Sequence, residues 1–400
     1  MKFTNLTNYL NYLVNEVNTP NVDCIVYKDH EMIFRHFAGR SDIEEDKDLQ
    51  GDELYIIFSM TKMLTCTAAL QLYEQGKYTM DEPISKYLPE FEKMKLRTSA
   101  RQGQSSMLVA QGISVAAEEV ATENVYAQNP IRVIDLFTMS AGLDYNVGAP
   151  YIKQALAEGK TSTRELVRAM AQTVLRFEPG TEFWYSLCHD VLGALIEIWS
   201  GRKLGEYMRE NIFAPLGMNN TFFGLPTDGK RLSKMVAKYT FNEEGKPEKM
   251  PLECMFMLSK EYESGGAGLC SCTQDYALFL DALACGGMAK TGKRILKEET
   301  IKLMGTDQMQ GKKCNDYQKV HPGYGYGLGV RVHKDPNQSG SFSPVGEFGW
   351  DGAAGCYSMV DTKNKISITY FQQIHAWNMK IQNGICNAVY RDIRAAGQLD

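Results

Sequence analysis

The 400-residue sequence contains no long apolar run. Nothing in it approaches the roughly 18 apolar residues of a membrane span, and no basic amphipathic helix of the membrane-surface kind is present. Basic blocks are also missing. With 43 Lys and Arg against 48 Asp and Glu the net charge is −5, which leaves no electrostatic footprint for nucleic acid. There are only 6 histidines, none in an H-x-x-x-H or H-x-H arrangement, so neither a dedicated metal site nor a cofactor is expected. The ten cysteines are scattered, and the one close pair, Cys270-Ser271-Cys272, is too tight for a C-x₂-C zinc knuckle. Cys24, Cys66 and Cys386 lie among apolar neighbours and read as reduced, buried thiols. The N-terminal stretch lacks the apolar core of a secretory signal, so a cytoplasmic location is the expectation.

What remains is ordinary globular composition, 44% apolar and 23% charged, at a length that suits one large domain or two coupled ones. Phe3, Leu6, Leu10, Leu13 and Val17 form a helical stripe. Runs 22–27 and 32–39 flank the polar turn Lys28-Asp29-His30-Glu31 and predict a β-hairpin. Residues 54–58 read as extended, and 63–75 as a helix stopped by Gly76. The stretch 77–260 is helix-rich, with 164–171 and 191–199 its clearest helices. Beyond 265 come a helix at 275–283, strand-like runs at 324–332, 356–360 and 366–371, and a helix over about 377–395. Strands thus cluster at both ends of the chain. The predicted fold is α/β of the α+β type: one antiparallel sheet built from both termini, flanked by helices, with a mostly helical region inserted. Residues 1–76 and 265–400 form the sheet domain in this reading, 77–264 the helical region, and the cleft between them the default ligand site. Residues 98–128, rich in Ser, Gln, Ala and Gly, read as a loop, a hairpin insertion or a lid.

Ser59-Met60-Thr61-Lys62 opens the helix-forming run that ends at Gly76. Residues three apart on a helix share a face, which sets Ser59 beside Lys62. A serine hydroxyl becomes a competent nucleophile when a neighbouring base takes its proton, and a desolvated lysine can be that base. The tetrad recurs at Ser200-Gly201-Arg202-Lys203, where the glycine marks a helix C-terminus and a chance match.

Three other places invite chemistry. Glu178-Pro179-Gly180 turns the chain ahead of Phe183-Trp184-Tyr185-Ser186, where Ser186 suits an N-cap and Tyr185 is aimed from a helix entry. Trp350-Asp351-Gly352-Ala353 combines a strand with small residues that permit close backbone approach. A free N–H there could join that of Ser59 in holding an oxyanion. Ser264-Gly265-Gly266-Ala267-Gly268 lacks the Lys-[Ser/Thr] of a phosphate-binding loop, so nucleotide binding is not expected.

Together these segments resemble the serine hydrolases related to class C β-lactamases and penicillin-binding proteins. The resemblance runs through Phe58 to Lys62, Tyr87-Leu88-Pro89-Glu90-Phe91, Ser140-Ala141-Gly142, Tyr185-Ser186, Pro215-Leu216-Gly217-Met218, Gly265 to Leu269 and Gly349 to Gly355, in matching order. It implies Ser59 as the acylated nucleophile, Lys62 as its base or hydrogen-bond partner, and Tyr185 as the second general acid/base. It also implies an oxyanion hole from the N–H groups of Ser59 and Ala353, with Trp350 and Gly352 on the substrate-binding strand. Two positions depart from the β-lactamase pattern. Tyr-x-Asn reads Tyr185-Ser186-Leu187, and the cation of Lys/His-x-Gly is replaced by Trp350. A tryptophan cannot pair with the carboxylate of penicillins or peptidoglycan stems, and these variants are similar to family VIII carboxylesterases. The implied activity is hydrolysis of a small-molecule ester through an acyl-enzyme at Ser59. Amide or D-amino-acid peptide cleavage, weak β-lactam hydrolysis and acyl transfer are alternatives, and an inactive sensor on the same scaffold is the non-enzymatic one.

Overall fold

The computed structural model describes residues 1–97, 125–375 and 378–399. Its centre is an eight-stranded antiparallel sheet assembled from the two ends of the chain. The N-terminal strands are β1 (Asn21–Lys28), β2 (Glu31–Asp42) and β3 (Lys47–Asp48). The C-terminal ones are β4 (Tyr324–Tyr326), β5 (Arg331–His333), β6 (Phe348–Gly349), β7 (Tyr357–Asp361) and β8 (Ile366–Phe371). The order across the sheet is β3-β2-β1-β8-β7-β6-β5-β4. The two halves meet where β1 pairs β8, with Ile25 opposite Thr369.

Both faces of this seam are covered, and β1 and β8 are accordingly buried along nearly their whole lengths. On one face lie α1 (Thr4–Asn15) and α5 (Met379–Ala395); Leu6, Leu10 and Leu13 pack with Ile385, Val389 and Ile393. Asp392 of α5 also caps α1 by accepting from the Asn5 and Leu6 N–H groups at 3.1 and 2.9 Å, which satisfies two otherwise orphaned donors. The opposite face carries α2 (Thr61–Glu74) and α4 (Thr273–Ala284), with α3 (Cys188–Ser200) packed on α2. The apolar core on this side runs from Leu49 to Phe371 and draws on the segments 131–262 as well as the sheet.

The hairpin, the helices and the strands near the C-terminus fall where the sequence places them, with two differences. The run 324–332 is two strands, because Gly327 to Val330 turn the chain back and Gly329 adopts φ +79°. Within 77–264 a second hairpin, Lys238–Phe241 with Pro247–Met250, joins Ile374–His375 in a small sheet of its own. Its strands are short and polar and carry no period-2 signal strong enough to read. The Ser200 tetrad sits at the end of α3, where Gly201 (φ +72°) closes the helix. Of the stretch 98–128, residues 98–124 lie outside the described residues.

Candidate active site

Ser59 does not lie in the first turn of α2. It lies in a 3₁₀ turn, Phe58–Met60, that leads into the helix. Phe58 carries φ +44°, an uncommon left-handed conformation for a bulky residue. Surrounding bonds hold the turn in place. The Ile57 N–H donates to Leu269 O at 3.1 Å, and the Leu269 N–H donates to Thr61 Oγ1 at 3.2 Å. The short strand Leu269–Ser271, itself paired with Tyr55–Ile56, thereby fixes both sides of the turn that carries Ser59.

The expected pair forms. Lys62 Nζ donates to Ser59 Oγ at 3.2 Å and to Gly266 O at 2.7 Å, and Lys62 is fully buried. The ammonium also lies 4.6 Å from the ring centre of Tyr185 and 5.6 Å from that of Tyr145, a cation–π cradle in a desolvated setting. Tyr185 is thus brought to the serine–lysine pair from more than 120 residues away, at the entry to α3. Ser186 is not the N-cap of that helix. Leu187 holds the position without a side-chain cap, while the Ser186 hydroxyl turns inward to Cys188 Sγ at 3.1 Å and Met139 Sδ. The short apolar surroundings of the turn outweigh the local capping preference.

The segment Trp350 to Ala353 completes the group; it is not the strand the sequence suggests, because β6 ends at Gly349 and the chain passes through a single Asp351–Tyr357 bridge into a turn. Trp350 Nε1 donates to Tyr185 Oη at 3.2 Å, and the rings stack at 5.6 Å. Tyr326 and His321 hold the outer faces of the indole, and burial, reinforced by Arg331, pushes the His321 imidazole down to about 3, leaving it neutral. Gly352 has a steric role. A Cβ there would come 2.7 Å from Ile57 O, so only glycine lets this segment lie against the turn that carries Ser59. Ala353 follows directly. Among the described residues no backbone hydrogen bond uses the N–H of Ser59 or of Ala353, which leaves both as candidate oxyanion donors.

Beneath Trp350 is a buried charge cluster. Arg331 Nη1 bonds Asp351 Oδ1 at 2.6 Å, Nη2 donates to Ser358 O at 2.7 Å, and Glu347 Oε1 lies 3.5 Å away. Ser358 in turn accepts from the Trp350 N–H at 3.1 Å and donates to its carbonyl at 2.6 Å. Asp351, between the two residues the sequence singles out, therefore faces the interior and anchors the segment.

Two further residues border the lysine, and sequence reading did not find them. Tyr145 presents its ring to Lys62 Nζ at 5.6 Å, and burial, with Tyr185 and Asp190 nearby, pushes its phenol well above the usual tyrosine range. Asp190 of α3 accepts from Ser264 Oγ at 2.6 Å and from Tyr262 Oη at 2.7 Å. Burial holds its carboxyl above the ordinary value, opposed by those two bonds and by the Lys62 charge. Gly266 separates the two: a Cβ there would sit 2.6 Å from Asp190 Oδ2 and 3.5 Å from Lys62 Nζ. The Ser264 to Gly268 segment is thus a close-approach element beside Lys62. The signals were faint, a tyrosine shortly after Ser140-Ala141-Gly142 and an acidic residue five positions beyond Tyr185.

The two-ended sheet and the serine–lysine–tyrosine group beside the segment that follows β6 define a protein of the β-lactamase and transpeptidase fold. The chain matches the family described as Beta-lactamase over residues 7–382 and belongs to that family. It is 28% identical over 364 residues to Protein Rv1367c of Mycobacterium tuberculosis (strain ATCC 25618 / H37Rv), covering 87% of this chain and 84% of the relative. It is 25% identical over 366 residues to Esterase EstB of Burkholderia gladioli, covering 86% and 83%. Among solved structures, EstCE1, described as a hydrolase with promiscuous acyltransferase activity, superposes with a TM-score of 0.76 at 22% identity, covering 96% of this chain and 97% of its own.

Proposed function

We propose that this protein is a serine hydrolase that cleaves small esters through an acyl-enzyme on Ser59. The observation that carries the reading is the buried Lys62 Nζ, bonded to Ser59 Oγ at 3.2 Å and cradled by the Tyr185 ring. In the first half-reaction Ser59 Oγ attacks the ester carbonyl while its proton passes to the Lys62–Tyr185 pair. The oxyanion is met by the N–H groups of Ser59 and Ala353. The C–O bond of the ester then breaks, and the alcohol leaves with the proton. Water repeats the sequence on the acyl-enzyme, releasing the acid and restoring Ser59.

The relation to EstB favours esters, and Trp350 favours substrates without a carboxylate at that position. A charge-assisted hydrogen bond contributes about 1.5–3 kcal/mol, and the indole offers none to a β-lactam or D-peptide carboxylate. Acyl transfer is the second reading, favoured by the likeness to EstCE1; it differs only in replacing water by an alcohol or amine acceptor. Among the described residues no helix is long and apolar enough to cross a membrane, and a cytoplasmic location is part of the proposal.

Intact-protein mass spectrometry with short p-nitrophenyl esters tests the assignment. A mass increase of one acyl group on the native chain and none on Ser59→Ala is the expected pair of results. Full hydrolysis by a folded Ser59→Ala protein would refute it. Added alcohols distinguish the two readings, since a transferase yields new ester in place of acid.

A further inference from the structure

The tip of the β1–β2 hairpin and the last turn of α4 bring three donor groups together away from Ser59. Asp29 (φ +48°) and His30 (φ +68°) both take left-handed backbone, the geometry of a tight two-residue hairpin turn. Asp281 of α4 receives the tip. Its Oδ1 accepts the His30 N–H at 3.1 Å, and its Oδ2 meets His30 Nδ1 at 2.8 Å. Cys285 is four residues on, hence on the same helix face, with Sγ 3.8 Å from Asp281 Oδ1. One donor atom from each of the three residues lies within 4.8 Å of the other two.

This spacing suits a tetrahedral ion. Bonds of roughly 2.0–2.3 Å from zinc to N, O and S set ligand atoms about 3.3–3.8 Å apart. The contact between Asp281 Oδ1 and Cys285 Sγ already falls in that range, while His30 Nδ1 sits on the other oxygen, Oδ2, and needs to withdraw from it by about half an ångström to share the ion. Nitrogen, oxygen and sulfur together select a borderline transition ion over Mg²⁺ or Ca²⁺. A hairpin anchor accounts for His30 and Asp281, but it gives the thiol aimed at the same carboxylate no part. A cation between them uses all three. Access is open on both sides. Cys285 lines a cleft of about 550 Å³ with Gly286, Glu298 and Lys302, and His30 and Asp281 line a second of about 230 Å³.

We propose that His30, Asp281 and Cys285 bind one zinc-class divalent cation, with water completing the coordination. The Sγ–metal bond forms as the thiol proton leaves to solvent, and the ion clamps the hairpin tip to α4. The site is separate from the serine. Tyr276 of α4 reaches Met60 O at 2.8 Å, and Cys285 lies nine residues further, about 14 Å along the helix at 1.5 Å per residue.

Full-length protein freed of metal by chelation is titrated with Cd²⁺, read by the thiolate-to-metal charge-transfer absorbance, and with Zn²⁺ by calorimetry. One ion per chain, a charge-transfer band and a Zn²⁺-dependent rise in melting temperature are expected. Cys285→Ser abolishes the band. His30→Ala, at a half-buried turn outside the apolar core, weakens binding by roughly tenfold or more while keeping the band. Ester hydrolysis is unchanged in both. Absence of the band, a band of native strength in Cys285→Ser, or native affinity in His30→Ala would each overturn the proposal.

Discussion

The indole N–H of Trp350 donates to the phenol oxygen of Tyr185 over 3.2 Å. Trp350 is therefore turned inward, and its indole N–H orients the tyrosine proposed to move protons. Trp350→Phe preserves the stacked ring and removes the donor. One neutral hydrogen bond contributes about 0.5–1.5 kcal/mol, so kcat/KM for a p-nitrophenyl ester is expected to fall roughly three- to tenfold with little change in melting temperature. A native rate would show that the bond has no part in catalysis. Tyr185→Phe removes the acceptor and the acid/base together, and a loss of about a hundredfold or more is expected.

Gly352→Ala tests the approach of this segment to the turn that carries Ser59. Its new Cβ would meet Ile57 O at 2.7 Å, closer than a carbon and a carbonyl oxygen can sit. The segment must move away and carry the Ala353 N–H with it. Removal of one oxyanion donor costs about a hundred- to a thousandfold in kcat, and partial displacement is expected to cost at least tenfold. The loss should appear in kcat more than in KM. A loss confined to KM would place Gly352 in ground-state binding instead.

The bonded pair was legible because Ser59 and Lys62 are neighbours in sequence, and local spacing survives folding. The sheet was legible for a related reason: β1, β7 and β8 are buried runs bounded by turn residues, and β2 follows β1 across a short polar turn. What escaped depends on distant contacts. Asp190 lies just ahead of the helix expected at 191–199, and nothing local marks it until Tyr262 and Ser264 close over it. Ser186 has the right local chemistry for a cap, but packing against Met139 and Cys188 turns it inward. His30 and Asp281 are 251 residues apart, so no motif spacing could have joined them.

Asp190→Asn keeps the acceptor for Tyr262 and Ser264 and deletes the charge behind Lys62. Burying an ionised carboxylate opposes folding, so the melting temperature is expected to stay level or rise. Activity is expected to fall by about tenfold or more, because the side chain beside Lys62 loses its carboxyl. This opposition of stability and rate is the diagnostic outcome. A parallel fall in both would make Asp190 a purely structural residue.

Glu347 gives the fold a pH dependence of defined sign. Burial raises its carboxyl from the ordinary 4.5 to about 7, against the pull of Arg331 and the Ser343 hydroxyl. A carboxyl held above its unfolded value binds its proton more tightly in the native state. The stability it confers is complete below pH 4.5 and is lost as the pH rises through about 7. Glu347→Gln cannot ionise and keeps the Ser343 bond, while Arg331 retains Asp351 at 2.6 Å. Urea unfolding at about pH 5 and about pH 8 should therefore show the variant gaining on the native protein by roughly 2–3 kcal/mol between the two. A difference that stays constant across this window would mean that Arg331 fully compensates the ionised Glu347 carboxylate.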